Sequence, residues 1–260
     1  EGGLAVSYPP VPPPDLQVQL ETRAPRTWTW WGALLLVLGV VAAQIVAGIV
    51  TAIPLLIADA MGNETVVATW LTPSITFASM ILVLGLLLIV RRFSGAKPLW
   101  DRRDLQDWRN WLLALIALLV SAGANVARFI LEQDPAAPEL NQQIMALVDS
   151  PNGTPWAALV MLGTGVMILA PLTEEWVFRG ILLPALQRAA GRRWPWLGAA
   201  VAVLVSSTIF GLLHWPIWWV PAVYGGAIGL LSLRQRSLAW PLLVHGTINV
   251  TVFALVLTAS

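Results

Sequence analysis

Seven stretches of this chain are apolar over about the thickness of a bilayer, and this limits its fold more than any other feature. They run at roughly 29–58, 67–90, 110–131, 156–187, 196–214, 216–233 and 239–258. A helix of ~20 apolar residues crosses the hydrocarbon core of a membrane. It also bonds its own backbone where no water is available to do so. With 57% hydrophobic and only 11% charged residues, the chain reads as all-α: a polytopic transmembrane helical bundle of about seven spans.

The charges between the runs support that count. Arg23 and Arg26 precede the first run. Arg91, Arg92, Lys97, Arg102, Arg103 and Arg109 follow the second, Arg188, Arg192 and Arg193 the fourth, and Arg234 and Arg236 the sixth. If the spans alternate, every Lys and Arg except Arg128 and Arg179 falls on one side. The opposite connections carry Asp59, Glu64, Glu132, Asp134, Glu139 and Asp149, with no Lys or Arg. Basic loops stay cytoplasmic, so the N-terminus is expected inside and the C-terminus outside. Most of the tryptophans, among them Trp30, Trp108, Trp156, Trp194, Trp215 and Trp240, fall near span ends, as an interfacial belt should.

The organisation expected is threefold. Residues 1–27, with six prolines (Pro9, Pro10, Pro12, Pro13, Pro14 and Pro25), read as a disordered cytoplasmic tail. They lack the basic start and short apolar core of a signal peptide, so the first apolar run is expected to be retained. Residues 28–150 hold the first spans and a basic cytoplasmic loop, with a short surface helix near 139–149. Residues 151–260 carry the chemistry. The chain has no cysteine, which removes thiolate catalysis, disulfides and Cys-ligated metals. A net charge of +1 gives no sign of a nucleic-acid partner. Imidazole chemistry has only His214 and His245 to use.

Three polar constellations interrupt the later runs. The first is Thr173-Glu174-Glu175-Trp176-Val177-Phe178-Arg179. An ionised carboxylate in a membrane helix costs at least ~2.5 kcal/mol, so two in succession call for an explanation. Glu175 and Arg179 lie four apart on one face in the favourable order, acid first. They are either a self-neutralising ion pair or part of a site. Glu174, rotated about 100° away, has no partner on its own helix. Pro171 is placed to kink this helix or free backbone carbonyls. The second constellation is Phe210-Gly211-Leu212-Leu213-His214, where Gly211 leaves room for a neighbouring backbone. The third is His245-Gly246-Thr247-Ile248-Asn249, with His245 and Asn249 on one face. That pair is either a polar clasp between helices or two aimed hydrogen-bonding groups. Gly225 and Gly229 form a GxxxG that reads as close helix packing. Gln44, Asn125 and Arg128 are the few other polar groups at membrane depth. Together, a carboxylate to deprotonate water, imidazoles to orient it and donors for an oxyanion are what amide hydrolysis needs.

EExxxR, FxxxH and HxxxN in that order on successive helices resemble the CPBP family of intramembrane proteases. That family includes the type II CAAX prenyl endopeptidases and the bacterial Abi, or bacteriocin-immunity, proteins. The resemblance covers roughly 155–258. It implies an endopeptidase acting on membrane-associated peptides or proteins beside the lipid bilayer. In it Glu174 would activate water, assisted by His214, while His245 and Asn249 would steady the oxyanion. Glu175, Arg179 and Phe210 would support the site. No cofactor is expected; zinc on Glu174, His214 and His245 is the alternative, weakened by the absence of HExxH. A catalytically silent scaffold or immunity protein and a proton-coupled transporter are the competing readings. One tension remains. Counted from the basic ends, His245 lies shallow on its span while His214 lies almost a full span deep.

Overall fold

A computed structural model describes residues 28–92, 96–131, 139–148, 150, 155–191 and 194–259. The Pro-rich tail lies outside the described residues, as do Glu132, Asp134, Asp149, Arg192 and Arg193. Helices α1 (Trp30–Ala60), α2 (Glu64–Arg91), α3 (Arg102–Gln106), α4 (Trp108–Leu131) and α5 (Glu139–Val148) come first. They are followed by α6 (Trp156–Ala190), α7 (Pro195–Leu212), α8 (Trp219–Arg234) and α9 (Ala239–Ala259). No strand occurs among the described residues.

Six of these helices are long and apolar enough to cross a membrane. The remaining long run became α8, which has only 16 residues. At ~1.5 Å per residue it spans about 24 Å, short of a ~30 Å hydrocarbon core. Large apolar side chains such as Leu38, Ile49, Ile89, Leu119 and Leu204 are at least half exposed along the outer helices. That is the surface a bilayer, not water, would solvate. Trp30, Trp108, Trp156, Trp194 and Trp215 are exposed near helix ends, as expected of the belt. Trp240 is not: it is buried, and its indole nitrogen donates to Asp104 O at 2.9 Å. The short helix expected near 139–149 is α5, seated on α6 and α9 by Ile144 and Leu147.

One apolar core runs through both halves of the chain, from Ala33, Val37, Val83 and Leu87 to Trp176, Phe210 and Ile228. Two sequence devices shape its centre. Helix α6 widens into π-helical turns at Gly165–Leu169 and Trp176–Leu182. Each is followed closely by a proline, Pro171 or Pro184, with no N–H to return to the preceding turn. The carbonyls released are used by neighbours: Asn249 Nδ2 donates to Val166 O at 2.8 Å, and Lys97 N to Gly180 O at 3.4 Å. Gly211 is the second device. A Cβ there would collide with the Trp218 carbonyl and sit 2.7 Å from Ala222 Cβ, so only glycine admits α8 this close to α7.

Candidate active site

The first constellation lies on the central part of α6, where Thr173, Glu175 and Arg179 are buried and Glu174 is one-fifth exposed. Glu175 is fully enclosed. Its Oε1 accepts from Arg179 Nη1 at 3.0 Å and from His245 Nδ1 at 2.8 Å. Arg179 donates its other amino group to Gly225 O at 2.9 Å and lies 4.7 Å from the centre of the Phe210 ring. Gly225 therefore does more than pack helices, because a side chain there would press on both Phe210 and Arg179. The Glu175–Arg179 pair is thus neither isolated nor solely self-neutralising: it orients a histidine delivered by another helix.

Glu174 points the other way, towards both imidazoles. Its Oε2 is 3.8 Å from His245 Nε2 and 3.9 Å from His214 Nε2. These gaps are too long for hydrogen bonds and too short for a water in line between the atoms; a water touches both atoms of a pair only from the side. The Oε2 atom is itself buried and finds no hydrogen-bond partner among the described residues, although the side chain as a whole is partly exposed. The two rings are held alike. His214 Nδ1 donates to Phe210 O at 2.7 Å, and His245 Nδ1 to Glu175 Oε1. Each acceptor places a proton on Nδ1 and leaves the Nε2 edge of the ring facing Glu174. Phe210 is wholly buried. Its ring centre lies 4.6 Å from that of His214, 5.1 Å from Phe178, and 5.8 Å from both Tyr224 and His245. It is the packing piece between the two imidazoles.

The depth tension dissolves in the way the helices are offset. The corner between α8 and α9 does not lie level with the basic end of α6. Leu238 N donates to Pro98 O at 2.9 Å, and the adjacent Lys97 N reaches Gly180 O, which puts residues 180 and 238 at one level. From there Glu174 is six residues along α6, about 9 Å, and His245 seven along α9, about 10 Å. Helix α9 starts deep, so its shallow-looking histidine arrives beside Glu174.

Asn249 is placed differently. Its amide is docked on Val166 O of the first π turn, which leaves one N–H and the carbonyl oxygen uncommitted. Glu174 opens into a cavity of about 220 Å³ lined by Val37, Val40, Val41 and Gln44 of α1, Met80 of α2, and His214. Positions 37, 40, 41 and 44 form one helical face, so α1 walls a site otherwise built by α6, α7 and α9. Tyr224 of α8 is buried with its ring centre 5.8 Å from that of His245, so it packs against the imidazole without lining this cavity. Sequence patterning did not single out Tyr224, since its spacing from the motifs carries no period.

Residues 155–251 match the family model described as Rce1-like, type II CAAX prenyl endopeptidase. The match supports placing this segment in the CPBP/CAAX protease family. The match contains the three motifs and the whole Glu174–His214–His245 cluster, and it supports an intramembrane endopeptidase of CAAX type. No curated protein and no solved structure matches the chain. Helices α1 to α5, including the α1 wall of the cavity, lie outside the matched CAAX protease segment.

Two imidazoles and one carboxylate are donors that zinc accepts, but their spacing here is wider than that of a closed zinc site. Ligand atoms around a tetrahedral zinc with ~2.0–2.1 Å bonds sit about 3.3 Å apart, closer than the 3.8 and 3.9 Å separations seen here. Among the described residues no group of three His, Asp or Glu side chains has metal-holding geometry.

Proposed function

We propose that this protein is a glutamate-dependent intramembrane endopeptidase that hydrolyses a peptide bond of a membrane-associated substrate. The observation that carries the reading is Glu174 Oε2, buried, without a hydrogen bond among the described residues, and lying 3.8 and 3.9 Å from two imidazole nitrogens. Glu174 accepts a proton from the attacking water and returns it to the leaving amine. His214, its tautomer held by Phe210 O, orients that water with its Nε2 lone pair. The oxyanion is met by His245 and by the second amide hydrogen of Asn249. That role requires His245 to be protonated on Nε2, and the charges then balance: Glu174 and Glu175 against Arg179 and one imidazolium. The substrate backbone enters from the cavity walled by Val37, Val41 and Gln44.

Glu174→Gln keeps the shape and removes the base. Cleavage of membrane-tethered peptides by the purified variant is expected to fall at least ~10³-fold with folding intact, somewhat below the upper end of what general bases contribute. Normal turnover in that variant would overturn the assignment. We further propose a plasma-membrane setting with the basic ends cytoplasmic. A cysteine placed at residue 260 of this cysteine-free chain is then labelled by external reagent on intact cells. Protection of that probe would reverse the orientation.

A further inference from the structure

We propose that residues 97–104, outside the matched protease segment, set the axial register of α9 against α6, and that Asp104 is the positioning residue that brings His245 level with Glu174. The inference rests on the reading of Glu174 and His245 as the reacting pair, and it concerns what holds them opposite each other. Two consecutive residues bridge the two helices through their backbone. Lys97 N donates to Gly180 O of α6, and Pro98 O accepts from Leu238 N at the foot of α9. Lys97 Nζ then ties down the last turn of α8, donating to Ser232 O at 2.6 Å and Ser232 Oγ at 3.2 Å.

Asp104 locks the other side of the corner. Its Oδ2 accepts from Ser237 Oγ at 2.6 Å, Ser237 N at 2.8 Å and Arg236 N at 3.1 Å. Its backbone carbonyl accepts from Trp240 Nε1 at 2.9 Å and from Asn110 Nδ2 at 2.8 Å. Asp104, Ser232, Ser237 and Leu238 are all nearly or wholly buried. A solvated basic loop would need none of this. The side chain of Asp104 reaches across some 133 positions of sequence to hold Arg236 and Ser237, the two residues that lead into α9. A slip of one residue along α9 moves His245 by ~1.5 Å and turns it by about 100°, which takes Nε2 out of reach of Glu174.

Asp104→Ala removes every side-chain acceptor, whereas Asp104→Asn keeps an oxygen for Ser237. The expected result is that kcat on a membrane-tethered peptide falls about tenfold in Asp104→Ala with KM within twofold, and recovers to within about threefold of the parent in Asp104→Asn. Ser237→Ala, a milder change, should lower kcat about threefold and remains informative if Asp104→Ala does not fold. Arg234→Ala, which breaks only the exposed 3.7 Å pair with Asp107, should leave kcat unchanged. Spin labels on exposed Ile168 of α6 and Leu255 of α9 report register without any cleavage, and their separation should shift or broaden in Asp104→Ala. Parent-like kcat together with an unmoved label distance in folded Asp104→Ala, or in Ser237→Ala if the former does not fold, would overturn the proposal, as would a loss confined to KM. A shifted distance alongside full activity of Glu174→Gln would instead retain the register device and discard the reading of Glu174.

Discussion

Asp104 and Glu174 are both carboxylates that the fold withdraws from water, and the protein treats them in opposite ways. Asp104 is surrounded by donors: three hydrogen bonds reach Oδ2, and a fourth contact at 3.3 Å reaches Oδ1. Each bond to a charged group is worth about 1.5–3 kcal/mol, so the cost of burial is offset locally. Glu174 sits between two imidazoles that it does not touch, with Oε2 unpartnered among the described residues. No hydrogen bond to Oε2 among the described residues offsets its cost. A buried carboxylate with all its donors is a structural part; one left without donors beside two imidazoles is equipped to exchange a proton.

The largest effects should separate these two on different instruments. Glu174→Gln should abolish cleavage while leaving thermal stability near that of the parent, since it deletes no bond. Asp104→Ala should lower stability by about 3 kcal/mol, because the N–H and O–H of buried Ser237 are both left without this acceptor. Its roughly tenfold effect on kcat is secondary. A melting curve and a turnover number for each variant are enough. If Glu174→Gln unfolds the protein, or Asp104→Ala leaves stability untouched, the distinction between the two carboxylates fails.

A smaller effect should appear in the pH dependence of stability, and it belongs to the Asp104 side. Burial pushes the Lys97 amine from 10.5 down to about 8, with the nearby Asp104 charge pulling the other way. Between about pH 8 and 10.5 the unfolded chain holds this proton and the folded chain does not, so stability rises with pH through that window. Below pH 8 both states are protonated and the fold carries the full penalty of the buried ammonium. Lys97→Met should flatten this slope in detergent melts. An equal slope in parent and variant would show that Lys97 does not titrate there.

How much was visible beforehand also divides along this line. Hydrophobic runs and charge alternation foretold the helices, because length and polarity are local properties of sequence. The cluster was legible as a candidate site too: Glu174, His214 and His245 are costly residues in apolar surroundings, their order on three helices resembled a family pattern, and the fold brings them together. Pro171 correctly signalled released carbonyls, although Val166 O as the acceptor and Asn249 as its user depend on how α6 and α9 meet. The register device was not legible. Lys97 and Asp104 sit in an irregular basic stretch that reads as solvated, and their partners are backbone atoms of residues 180, 232, 236 and 237. Residue type says little about backbone partners. A usable hint was present in Pro184, which leaves Gly180 O without its helical donor. The apparent depth of His245 misled for the same reason: counting along one helix assumes that every helix starts at the membrane surface.

The smallest expected effect is no effect, and it bears on the Glu174 side. If Glu174, His214 and His245 act on bare water, stringent chelation should leave activity within twofold, and elemental analysis should find no stoichiometric zinc. The argument is geometric. Bringing Glu174 Oε2 and the two Nε2 atoms onto one metal would require both separations to contract from 3.8 and 3.9 Å to about 3.3 Å. His245 could not follow freely, since its Nδ1 is anchored to Glu175 and Glu175 in turn to Arg179. Loosening that anchor offers a second test. Glu175→Gln weakens the hold on His245 and should reduce activity in a metal-free site, with no recovery on adding zinc. Chelator-sensitive activity restored by zinc in the parent would show that the three side chains close on a metal after all.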